Sequence, residues 1–317
     1  MTLIRKRRLF LFALTVILIS ACSKPTPPEE ETEIRWEDYT ILELPFADRP
    51  YAAYSTPARL DTTYLCDDQG VILFPWEGKT YYHPVRMTKK ALYDIYSYVV
   101  TDSIPYVTRA ALHARKLIER AIRARDATYF PYCFSLQVHG DDTDRLVAPW
   151  FSGMAQGMAL SLFVHLYHIT QEAEYLEAAG STYSTFRNLR SKSGPWTVFL
   201  DDAGYYWIEE YPIAYPEEAA DQVLNGFIFG LTGLYDYYLM NKDPEVLYFI
   251  QASLTTLQHY LPAFRNPGDL SAYCLRHRVT SVLYHSIHID LVRLLYKLTG
   301  VTFFQEMADS LYADYHE

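Results

Sequence analysis

Trp207-Ile208-Glu209-Glu210-Tyr211-Pro212 sets two carboxylates beside a phenol where a strand-like segment ends. A carboxylate and a tyrosine can each take or give a proton, the basic equipment of general acid–base chemistry. The plainer reading of Glu209 and Glu210 is a pair of solvated loop charges. Tyr273-Cys274-Leu275-Arg276-His277-Arg278 gathers cations around another tyrosine, as a solvated charge run or as an anion site. Guanidinium pairs well with carboxylate, and positive charge nearby lowers a phenol's pKa. Tyr284-His285-Ser286-Ile287-His288 puts Tyr284 and His288 on one helical face. Two histidines at this spacing can ligate a metal, but no carboxylate or cysteine motif completes the set, so core histidines are the simpler reading. Phe130-Pro131-Tyr132 and Ala148-Pro149-Trp150-Phe151-Ser152-Gly153-Met154-Ala155-Gln156-Gly157 offer rings for a sugar or for core packing. No GxSxG, P-loop or GxGxxG motif supports a hydrolase triad or a nucleotide cofactor.

These segments have to be held by helices. Met154, Met158, Leu162 and Leu166 recur every four residues, as do apolar positions in 224–238 and 287–298. Helices are expected near 87–101 and 107–125, and each later helix runs quickly into a partner, as where Asp243 caps and Pro244 opens one. Pro216-Glu217-Glu218 reads as the opening of another. Four hairpins with two connecting strands near 196–209 predict a mainly α fold, an incomplete α/α barrel or toroid. Residues 34–86 are expected to be irregular with short strands, and residues 87–317 to form the toroid domain.

Arg5-Lys6-Arg7-Arg8, an apolar run from Leu9 to Ile19 and Ser20-Ala21-Cys22 make a secretory signal over residues 1–21. Leu18-Ile19-Ser20-Ala21-Cys22 also resembles a bacterial lipobox, which implies lipidation at Cys22 and an outer-membrane lipoprotein. Residues 22–33, rich in proline and glutamate, read as a tether. The 317-residue chain carries a net charge of −10. Without the signal, 24 basic residues face 38 acidic ones, or −14, which argues against nucleic acid as a partner. Cys66, Cys133 and Cys274 allow one disulfide but select no pair. No residue specifies an oligomer, and a homodimer is compatible with the reading. The 29 tyrosines suit wet clefts as readily as cores.

Read in order, Tyr82-His83-Pro84-Val85, Ala148 to Gly157, Glu210-Tyr211-Pro212, Val223-Leu224-Asn225-Gly226-Phe227, Gly233-Leu234-Tyr235-Asp236, Tyr273 with Leu275-Arg276-His277, and Tyr284-His285 with His288-Ile289 resemble the C-terminal domain of the D-glucuronyl C5-epimerases. The resemblance covers roughly residues 80–315. It implies an isomerase converting glucuronate to iduronate in a heparan-type polysaccharide without a cofactor. Glu210 and Tyr284 match the family's proton-transfer pair, Tyr211 and Tyr273 its further active-site tyrosines, and Arg276 a substrate-binding position. His277, Trp150, Gln156, Asn225, His285 and His288 are expected along the substrate cleft. The animal members carry a substantial β domain ahead of this region, for which this chain has no room.

The chemistry is consistent with those residues. Removing the C5 hydrogen of a uronate builds enolate-like charge on a group already negative, which a cation at Arg276 would stabilise. Three other readings stay open: a polysaccharide lyase sharing the first proton abstraction, a non-catalytic glycan-binding lipoprotein, and a glycoside hydrolase on the same toroid.

Overall fold

The computed structural model describes residues 33–49, 56–61, 64–139, 144–213 and 220–316. The expected signal, Cys22 and all but the last residue of the tether lie outside the described residues, as does the helix opening expected at Pro216. Among the described residues, eight α-helices form four hairpins: α1 (Pro84–Thr101) with α2 (Ile104–Arg120), α3 (Gly153–Thr170) with α4 (Ala173–Tyr183), α5 (Leu224–Asn241) with α6 (Pro244–Phe264), and α7 (Val282–Thr299) with α8 (Thr302–Asp314). The odd-numbered helices pack side by side in the order α1, α3, α5, α7, and no comparable packing closes α7 back on α1 among the described residues. The barrel is therefore an open arc, mainly α as expected.

Local chemistry sets the helix ends. His83 caps α1 ahead of Pro84, Ser152 caps α3, and the Asp243 side chain accepts from the Glu245 amide at the start of α6. Asp102, Gln171, Lys242 and Gly300 end the inner helices in the left-handed conformation. α3 and α5 are buried almost all round, because each is flanked on both sides by another inner helix. Glycine permits their approach: a Cβ on Gly157 would sit 2.5 Å from the Gly230 backbone, and one on Gly233 would sit 2.2 Å from the Gly157 carbonyl. At the outer edge, Asp94 is fully buried and takes Lys90 at 2.6 Å and Arg109 at 2.6 and 2.9 Å, tying α1 to α2.

Among the described residues, four short antiparallel strand pairs lie between and before the helices: β1 (Phe74–Trp76) with β2 (Lys79–Tyr81), β3 (Ile122–Ala124) with β4 (Ala127–Tyr129), β5 (Leu136–Gln137) with β6 (Arg145–Leu146), and β7 (Val198–Leu200) with β8 (Tyr206–Ile208). The last pair falls inside the stretch read as two strands. The front segment runs as a strap over one end of the arc. Glu37 and Tyr39 bond to Thr255 and Gln258 of α6, Leu42 to Leu298 of α7 and Tyr235 of α5, and Ala58 to Ser97 of α1. Tyr235, Leu298 and Ser97 all lie in the C-terminal halves of inner helices. The opposite end, where those helices begin, is left for a site.

Candidate active site

Glu209, Glu210 and Tyr211 follow β8 directly. The Glu209 backbone is fixed from both sides, its amide donating to Thr197 O at 2.8 Å and its carbonyl accepting from Gly153 at 2.7 Å. Its carboxylate accepts from the amides of Tyr211 (3.0 Å) and Gln222 (2.9 Å), clamping the strand end to the segment that enters α5. Glu210 points the other way, and its Oε2 receives the Tyr273 hydroxyl and the Asn225 Nδ2, each at 3.4 Å. Gly226 presses against this carboxyl: a Cβ there would lie 2.2 Å from Oε2. The Tyr211 and Tyr273 hydroxyls are 3.3 Å apart, and the Tyr284 ring lies 4.4 Å from that of Tyr273 at 52°. Five side chains separated by up to 74 positions, Glu210, Tyr211, Asn225, Tyr273 and Tyr284, thus share one pocket of contacts.

The first turns of α5 and α7 meet here, with the approaches to α3 and α1 beside them. Asn225 opens α5, Tyr284 opens α7, Trp150 precedes α3 and lies 6.1 Å from the Tyr211 ring, and His83 caps α1 at 4.9 Å from the Tyr132 ring. Helix N-termini carry partial positive charge, so this end of the arc favours an anion. Burial controls the titration. Both glutamates are buried rather than solvated, and desolvation pushes each up to about 7, against the hydrogen bonds they accept. The phenols of Tyr211, Tyr273 and Tyr284 are all raised, by burial first and then by the Glu210 charge. The expectation that surrounding cations lower the Tyr273 phenol is therefore overturned. Arg276 is turned instead to Asp144 (3.2 Å) and Asp221 (3.5 Å).

A family model described as D-glucuronyl C5-epimerase C-terminus matches residues 125–312, more than half of the chain. This chain belongs to that C5-epimerase family. A D-glucuronyl C5-epimerase of Caenorhabditis elegans is 28% identical over 170 residues, covering 47% of this chain and 26% of the relative, so the match spans about a quarter of that protein's length. Among solved structures, the fold is similar to cellobiose 2-epimerase from Bacillus thermoamylovorans, at TM-score 0.56 and 10% identity over 79% of this chain and 66% of that one. It is also similar to a D-mannose isomerase, at TM-score 0.52 and 12% identity over 79% and 66%. At these identities the likeness concerns the α/α barrel-like architecture alone.

Within this C5-epimerase family chain, the structure gathers Glu210, Tyr211, Tyr273, Tyr284 and Asn225, while other expected cleft residues stand elsewhere. Gln156 is fully buried, its amide accepting from the Phe130 backbone and donating to the Thr128 carbonyl, so it fastens α3 to β4. His285 Nδ1 accepts from the Ser271 amide at 2.8 Å and its Nε2 lies 3.0 Å from the Leu311 carbonyl, joining α7 to α8. His288 Nδ1 is 2.8 Å from the Ser271 hydroxyl, and burial drops its pKa to about 3. These three side chains are spent on packing rather than presented to a cleft. Trp150 is stacked on Tyr132 at 3.8 Å and donates to the Phe134 carbonyl, which makes it a wall. With Arg145 and Trp196 it lines a cleft of about 240 Å³ beside Pro212.

His277 belongs to a second cluster that sequence reasoning missed, with His139, Asp144 and Asp221. The His139 ring lies 5.8 Å from that of Tyr273 and 6.4 Å from that of Tyr211, so the cluster adjoins the tyrosines. No fixed spacing links 139, 144, 221 and 277. The one local signal is a histidine followed by an acid-rich stretch of sequence, His139-Gly140-Asp141-Asp142-Thr143-Asp144. Cys66, Cys133 and Cys274 are free thiols. No helix among the described residues is long and apolar enough to cross a membrane.

Proposed function

We propose that this chain epimerises uronic acid residues of a polysaccharide at C5, by proton removal on one face of the sugar and return on the other. The observation that carries this reading is the convergence of Tyr273 and Asn225 on the buried Glu210 carboxyl, with Tyr284 at the rim. A carboxyl raised to about 7 is ionised in part at neutral pH, and once ionised is a stronger base than an ordinary glutamate. Tyr284, held above its usual range, stays protonated and serves as the donor. In this mechanism Glu210 takes the C5 proton and the electron pair moves into the adjoining carboxylate. The inner-helix N-termini stabilise that charge, with Arg276, about a third exposed, as the proposed contact for the carboxylate. Tyr284 then protonates C5 from the opposite side, leaving a phenolate and a protonated Glu210. Tyr273, in contact with Glu210, Tyr211 and Tyr284, offers the proton a route back. The reverse reaction exchanges the two roles. The cleft of Trp150, Trp196 and Arg145 suits a neighbouring pyranose ring.

Incubation with uronate-containing glycans in deuterated water tests the reading. Deuterium at C5 with an intact chain is expected, and Tyr284→Phe should slow its appearance by about 100-fold or more. An unsaturated, UV-absorbing product would mean a lyase instead, and binding without exchange across a broad panel would end the catalytic reading. We further propose lipidation at Cys22 and an outer-membrane location, supported by the lipobox-like sequence. Incorporation of labelled palmitate that survives Cys22→Ala would refute it.

A further inference from the structure

We propose that His139, Asp144, Asp221 and His277 form a binding site for one divalent transition-metal ion of the zinc class, a role separate from proton transfer. Their candidate ligand atoms lie within 4.8 Å of one another. Asp144 Oδ2 is 2.8 Å from His277 Nε2 and 3.2 Å from His139 Nδ1, and Asp221 Oδ2 is 3.5 Å from His139 Nδ1. A metal with bonds of about 2.1 Å holds neighbouring ligands about 3.0–3.4 Å apart in octahedral or tetrahedral geometry. The observed spacings bracket that range before any ion contracts them.

The carboxylates give the second, independent observation. Both aspartates are fully buried, yet Asp144 Oδ1 and both oxygens of Asp221 receive no hydrogen bond. Arg276 Nη1 pairs with their Oδ1 atoms at 3.2 and 3.5 Å, which leaves Asp221 Oδ2 facing the His139 ring at 3.5 Å. Buried carboxylate oxygens without donors are costly, and a cation answers them directly. Arg276 then lies on the Oδ1 side of both carboxylates, where charged partners commonly orient ligands. Two imidazoles disfavour calcium or magnesium, which take oxygen, and mixed nitrogen and carboxylate ligands suit zinc. Cys274 Sγ lies 3.8 Å from His139 Nε2 and from His277 Nδ1, on the ring nitrogens that His139 and His277 do not turn to Asp144. The aspartate set is therefore assigned, and the thiol is not.

The ligands come from three segments: the β5–β6 connection, the entry to α5, and the stretch between α6 and α7. An ion there would lock together the segments that carry Asn225 and Tyr273. The full chain, stripped with a chelator and dialysed free of it, is titrated with Zn²⁺ by calorimetry and with Co²⁺ by visible absorption, with thermal melts alongside. One equivalent of each, a ligand-field spectrum in the visible and a higher Tm are expected. His139→Ala and Asp221→Asn, the latter nearly isosteric and checked for native circular dichroism, should each weaken Zn²⁺ binding by at least about 100-fold, while Cys274→Ser leaves it unchanged. No saturable binding, binding undiminished in both folded variants, or binding lost only in Cys274→Ser would overturn the site.

Discussion

Replacing Glu210 with glutamine separates what the site costs from what it does. Burial raises this carboxyl from 4.5 to about 7, so ionising it in the folded state is harder than in the unfolded chain by about 2.5 pH units. At about 1.36 kcal/mol per unit, that is about 3 kcal/mol. The sign follows from where each state holds the proton. Below pH 4.5 both states hold it and the carboxyl contributes nothing to pH dependence. Between 4.5 and about 7 the unfolded chain ionises while the folded one resists, so stability falls; above 7 the full cost is in place. Glutamine never ionises, and its amide oxygen can still accept from Tyr273 and Asn225. Glu210→Gln should therefore match the wild type near pH 4 and exceed it by about 3 kcal/mol at pH 8, about 5 °C in Tm for a chain of this size. Paired melts at the two pH values give the comparison, and packing differences, being independent of pH, drop out of it. Deuterium exchange at C5 should vanish in the same variant. A stability gap that is equal at both pH values, or that favours the wild type at pH 8, would show that Glu210 is not a buried, strained base.

Other expectations are as specific. Gly226→Ala drives a methyl to within 2.2 Å of Glu210 Oε2, and the displaced carboxyl should exchange about 100-fold more slowly with the fold retained, as single-turnover exchange would reveal. His285→Ala removes bonds to Ser271 and Leu311 and should cost about 2–3 kcal/mol in urea denaturation without changing KM; a raised KM at unchanged stability would return His285 to the substrate. Asp94→Asn strands Lys90 and Arg109 between α1 and α2, and a loss of about 3–5 kcal/mol is expected; a change below about 1 kcal/mol would mean the hairpin does not depend on that pair.

Helices and their ends could be read early because their causes are local. Asp243 and Pro244 mark the start of α6 through one side-chain bond and one fixed φ angle, whatever surrounds them. The spacing of Met158, Leu162 and Leu166 repeats with the helical turn. The front segment was harder, since its strap gains order from partners about 190 to 260 residues ahead, such as Thr255, Tyr235 and Leu298. His285 and His288 are close to Tyr284 in sequence and so suggest cleft residues, but His285 turns to Leu311 of α8, and His288, one turn further along the face of Tyr284, is taken up by the Ser271 hydroxyl beneath the rim.

Periodicity was thus enough to expect the hairpins, whereas Glu210, Tyr211, Tyr273 and Tyr284 were nominated by the ordered motifs that resemble the C5-epimerases, spacing alone leaving Glu210 a solvated charge. Their protonation was not readable in that way. It depends on desolvation, and desolvation is produced by whichever segments cover a group in three dimensions. Positive neighbours in sequence pointed to a more acidic Tyr273, whereas the fold buried that ring beside Glu210 and turned Arg276 toward two aspartates. The same long-range assembly brought His139 to His277 across 138 positions. Periodicity and caps travel along the chain; burial and the meeting of charges arise only when it closes on itself.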